Sequence, residues 1–134
     1  MSGFVLDASI TLVWLLDDES HEQAETALRA LEQTGAIVPD LWHSEIRNSL
    51  LVAERRNRIT KTDVDERLKA VLELPISFDG APSYDDALNL ARTYQLSFYD
   101  ALYLELAVRK KLPLASLDKK LLTAATDGEG LPDL

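Results

Sequence analysis

Phe4-Val5-Leu6-Asp7-Ala8-Ser9-Ile10-Thr11-Leu12-Val13-Trp14-Leu15-Leu16 sets the architecture. Three apolar residues end at a carboxylate, and an apolar run of helical length follows with no Gly or Pro to interrupt it. The pattern reads as a buried strand, an acid at its carboxyl end, and a helix. Similar units follow. Ala36-Ile37-Val38-Pro39 leads into a helix over residues 41–57, with Pro39 at the strand end where a missing N–H is tolerated. Residues 75–78 lead to a helix opened by Pro82 and Ser83 and running through Ala87, Leu88, Leu90 and Ala91. Residues 113–116 lead through Asp118 to a last helix ending near Ala125. Further helices are expected over residues 20–33, stopped by Gly35, over residues 62–74, capped by Thr60 or Thr62, and from Ser97 through Ala107. In the 62–74 helix Val64, Leu68, Val71 and Leu72 should face inward. Short apolar strands alternating with helices imply a parallel sheet covered on both faces, with right-handed crossovers. Ligands of such sheets bind beyond the strands' carboxyl ends, near the point where strand order reverses.

The chain has 134 residues, 46% of them hydrophobic, which suits one globular domain over residues 1–134. There is no cysteine, so neither a disulfide framework nor a thiolate metal site is available. The longest near-continuous apolar stretch, from Ile10 to Leu16, is far too short to span a bilayer, and no Lys or Arg precedes it as in a signal peptide. A cytoplasmic protein with no membrane role is expected. A formal charge of -9 opposes binding to nucleic acid. Two considerations weaken the objection. A bound divalent cation inverts the local sign of an acidic site, and the positive residues are grouped as Arg55, Arg56, Arg58 and Lys61; Arg109, Lys110 and Lys111; and Lys119 and Lys120. Each group also suits a helix C-terminus or a solvated face.

Four acids stand out. Asp7 and Asp118 follow strands, Asp100 lies in the first turn of a helix capped by Ser97, and Glu45 interrupts the inward face made by Leu41, Trp42, Ile46, Ser49, Val52 and Ala53. Asn48 interrupts the same side. The alternative for Asp7, Asp100 and Asp118 is helix capping, and Asp40 and Asp79 show how common acids after strands are. Glu45 needs a partner if buried, either a cation or strong donors. If the four converge, mutual repulsion raises their pKa values unless a cation balances them. An oxygen-only cluster suits Mg2+ or Mn2+ rather than zinc. His21 and His43 lie outside these motifs and are assigned surface or capping roles.

At these residues the chain resembles the PIN-domain nucleases, and within them the VapC-type toxins of toxin-antitoxin pairs. Val5-Leu6-Asp7-Ala8-Ser9 is similar to the family's opening segment, and Pro39-Asp40-Leu41 with Glu45, Asn48 and Leu50 to its second. Tyr99-Asp100-Ala101 with Leu104 and Ala107 resembles the third, and Leu114 through Leu121 the fourth. The resemblance implies a three-layer α/β/α sandwich with a central four- or five-stranded parallel sheet. It also implies a Mg2+ or Mn2+ site on Asp7, Glu45, Asp100 and Asp118, with Ser9, Asn48 and Ser116 as supporting candidates. Endoribonuclease activity on RNA, homodimerisation and inhibition by a VapB-type antitoxin would follow. Two departures from the family pattern are visible. Ser116 stands where the family often carries Thr or Asp, and the tail from Gly128 is short for a final strand. The rivals are a receiver or a haloacid-dehalogenase-like phosphatase, which Ser9 disfavours because the phosphatase wants Asp there, and a catalytically silent protein-interaction module.

Overall fold

Phe4, Val5 and Leu6 are wholly buried because they form β1 (Phe4–Leu6), an interior strand of a four-stranded parallel sheet. This is seen in a computed structural model that describes residues 3–16 and 21–134. The other strands are β2 (Ala36–Pro39), β3 (Ile76–Asp79) and β4 (Leu114–Ala115), and the sheet order is β3-β2-β1-β4. Val5 pairs with Ile37 on one side and Leu114 on the other. Strands with a neighbour on both edges and helices on both faces have no route to water, which is why β1 has no polar alternation.

The helices are α1 (Ala8–Leu16), α2 (Glu22–Thr34), α3 (Leu41–Arg55), α4 (Lys61–Leu72), α5 (Tyr84–Tyr94), α6 (Phe98–Lys110) and α7 (Lys119–Thr123), the last continuing as a π-helical turn (Ala124–Gly128). α1 packs on α2 and α3, and α3 on α4. α5 packs on α6, which lies across β1, β2 and β4. Right-handed crossovers from β1 to β2 to β3 put α1–α4 on one face, and the return to β4 puts α5 and α6 on the other, completing an α/β/α sandwich. Gly35 closes α2 at φ 75, and a side chain there would meet the Pro75 carbonyl at 3.1 Å.

Several expectations move. The proposed start of α2 at Ser20 lies outside the described residues. Thr60, not Thr62, caps α4, and Leu72 is 45% exposed rather than inward. β3 runs one residue further than expected and takes in Asp79. The tail forms no strand, so the sheet has four. Arg109 lies in the last turn of α6, as a C-terminal cation would, but it is not simply solvated. It grips Asp79 with two bonds of 3.1 and 2.6 Å and Glu105 with two of 2.7 and 3.1 Å. Among the described residues no helix is long and apolar enough to cross a membrane.

Candidate metal centre

The chain winds from β1 outward to β3 and then returns to place β4 on the other side of β1, so strand order reverses between β1 and β4. Asp7 leaves the end of β1 and Ser116 the end of β4, and the two meet in that crevice. Asp7 is only 6% exposed, yet its Oδ2 accepts hydrogen bonds from Ser9 Oγ at 2.8 Å and Ser116 Oγ at 2.6 Å. Each hydroxyl in turn accepts a backbone N–H, Ser9 from Leu117 and Ser116 from Asp118, both at 3.0 Å. With their protons given to Asp7 and their lone pairs taken by the β4 loop, the two hydroxyls fix one acid against the segment that carries another. Burial pushes the Asp7 carboxyl up, against the opposing pull of the Ser116 and Ser9 bonds.

Asp100 sits where the Ser97 cap predicts, with its backbone N–H donating to Ser97 Oγ at 3.1 Å. In α4 the equivalent box closes, because Asp63 Oδ2 also accepts the Thr60 N–H at 3.0 Å. α6 shows only the first half, and the Asp100 side chain faces the other acids instead. Its pKa is raised by burial first, then by the charges of Asp7 and Asp118, against the opposing pull of the Ser97 side chain. Asp118 does cap α7, taking the Lys120 and Leu121 N–H groups on Oδ1 at 2.9 and 3.2 Å. Capping and approach to Asp100 are thus both true of one side chain.

Glu45 is half-buried on α3, and Tyr103 donates its hydroxyl proton to Oε1 at 2.6 Å. Burial raises the Glu45 pKa, and the charges of Asp7 and Asp100 raise it further. Asp100 therefore feels both Asp7 and Asp118, and Glu45 feels Asp7 and Asp100, at one end of the sheet. Of the three supporting candidates, Ser9 and Ser116 bond to Asp7, whereas Asn48 is exposed and lines a groove with Leu12, Leu16, Arg56 and Arg58. His43 packs its ring 4.4 Å from that of Phe78, away from the acids' bonds. Tyr103 was not foreseen. Its signal was its place one turn after Asp100 on the same helix face.

The donors at this point are carboxylate and hydroxyl oxygens with no thiolate or imidazole, the chemistry of a hard divalent cation. Among the described residues no three His, Cys, Asp or Glu side chains are arranged to hold a metal ion as they stand. Glu45 keeps its Oε2 clear of the Tyr103 bond, which falls on Oε1, and Asp118 takes both α7 N–H groups on Oδ1. The donor set fits such an ion.

A three-layer parallel sandwich with carboxylates gathered at its strand-order switch defines an α/β protein of acidic-site type. The chain belongs to the PIN domain family, which it matches over residues 4–126. That fold is generally one of metal-dependent nucleases. Among solved structures the chain is similar to PAE2754 from Pyrobaculum aerophilum, with a TM-score of 0.71 and 25% identity over 95% of this chain and 88% of that one. No curated protein matches it.

Proposed function

We propose that this chain is a Mg2+- or Mn2+-dependent endoribonuclease, a single domain over residues 1–134, and the toxin of a VapBC-type pair in the cytoplasm. The observation that supports it most is that three acids, Asp7, Glu45 and Asp100, keep raised pKa values at the sheet switch point, each raised by burial and the last two also by their acidic neighbours. Structural acids in this fold are treated differently, as the Arg109 clamp on Asp79 and Glu105 shows. Asp7 and Asp100 would hold the principal ion, with Asp118 and Glu45 completing the set. The bound ion would orient the scissile phosphate, acidify an attacking water and offset charge on the leaving oxygen. Ser9 and Ser116 keep Asp7 aimed and desolvated. Glu45 would complete the set through a water held on its Oε2 rather than by direct ligation, which would leave that oxygen to take a proton from an attacking water, with the departing oxygen protonated from solvent.

Purified chain incubated with single-stranded RNA should cleave it only with Mg2+ or Mn2+. Asp7→Asn and Asp100→Asn should each lose at least about a hundredfold in rate. Undiminished cleavage by either pure variant overturns the proposal. Titrating Mn2+ into the metal-free chain separates the rival: an interaction module whose acids merely cap helices shows neither saturable Mn2+ binding nor a gain in Tm. The cognate antitoxin and the homodimer follow from the VapC resemblance; coexpression with a small neighbouring protein should relieve growth arrest caused by the chain alone.

A further inference from the structure

We infer that Tyr103 is a positioning residue that holds Glu45 in the acidic centre, so that divalent-cation binding depends on a phenol outside the acidic motifs. Resting on the nuclease reading above, this goes beyond the four acids to what aims one of them. Tyr103 is wholly buried in α6, among Ala101, Leu104, Leu106 and Ala107. A phenylalanine would fill that volume without the cost of dehydrating a hydroxyl, so the hydroxyl calls for a partner. Its partner is Glu45 Oε1, 58 residues away on α3, at 2.6 Å. The bond joins a helix of one sheet face to a helix of the other, at the end of the sheet where Asp7 sits.

Comparison within the fold shows why a phenol is used. Glu105, two residues along α6 and 3% exposed, is neutralised by Arg109 at 2.7 Å, as is Asp79 at 2.6 Å. Among the described residues Glu45 has no ion pair, and its donor is neutral. An arginine in that place would restrain the carboxylate and also cancel the charge a cation needs. A tyrosine restrains one oxygen and leaves both the charge and Oε2 available. Ligand-orienting partners of this kind typically change metal affinity by about 10–100-fold when removed.

The test is Mn2+ titration of the full chain by calorimetry, with free Mn2+ followed in parallel by electron paramagnetic resonance. Wild type is compared with Tyr103→Phe, Glu45→Asp and the double variant, each checked by thermal melt. Tyr103→Phe should weaken Mn2+ binding about tenfold or more. Glu45→Asp, which keeps the charge but withdraws it from the phenol, should weaken it similarly, and the double variant should be no weaker than the worse single one. A Tyr103→Phe protein that melts lower but binds Mn2+ like wild type overturns the inference and leaves the nuclease reading standing. So do fully additive single effects; if Tyr103→Phe folds poorly, Glu45→Asp decides alone, and Mn2+ binding by that variant at wild-type strength overturns the inference. Absence of saturable Mn2+ binding by the wild type overturns both.

Discussion

At the scale of single residues, Asp7 is held in a place that suits its chemistry better than its stability. A carboxyl whose folded pKa is raised contributes stability that is fully present below its ordinary value of 3.8 and is lost as pH rises through the raised value. Asp7→Asn should therefore melt above wild type at pH 7, and the gap should close as pH falls toward 4; a gap that widens in acid would contradict the burial of Asp7. Ser116 has the opposite character. It is 2% exposed, donates to Asp7 and accepts the Asp118 N–H, so Ser116→Ala takes one of two hydroxyl donors from the buried Asp7 carboxylate and the acceptor from the Asp118 N–H. A loss of roughly 1–3 kcal/mol in denaturant unfolding is expected. The four acids were legible in the chain because each sits beside a strand end or an interrupted helix face. Tyr103 was not, because a tyrosine in an apolar helix looks like core until its distant partner is known.

At the scale of elements, α6 does two jobs along one axis. Its first turns present Asp100 and Tyr103 to the acidic site, and its later turns present Glu105 and Arg109 to β3 and the start of α5. Arg109→Ala would strand two buried carboxylates, and a destabilisation of about 3–5 kcal/mol is expected, read as a lowered midpoint in urea. Asp79 is held below its ordinary value chiefly by the Arg109 bond. That part of the stability is present above pH 3.8 and disappears as pH falls through the depressed value, so the variant should also lose the acid-sensitive component of the wild-type melt. Sequence pattern placed α6 correctly but treated Arg109 as one of three surface cations, since periodicity cannot see a partner 30 residues back. Leu72 departs from the pattern for a related reason: an apolar side chain at the end of an outer helix satisfies the spacing without being covered.

At the scale of the whole molecule, strand direction and a count of four or five followed from the sequence, while the absence of a fifth strand from the tail and the order β3-β2-β1-β4 did not. It is the order that brings Asp7 beside Ser116, and it depends on the return through α5 and α6. Because the acids crowd one end of a chain of net charge -9, divalent ions should stabilise the folded state selectively. Mn2+ at a hundredfold excess over its Kd should contribute about 2.7 kcal/mol, a rise in Tm on the order of 10 °C. Na+ at matched ionic strength should not reproduce it. The hydroxyls that grip Asp7 come from positions 2 and 109 residues away. A polypeptide still emerging from the ribosome, made as far as residue 110, therefore owns Asp7, Glu45 and Asp100 but lacks the strand that seats them. On the nuclease reading, the metal centre therefore cannot assemble before β4 has been made.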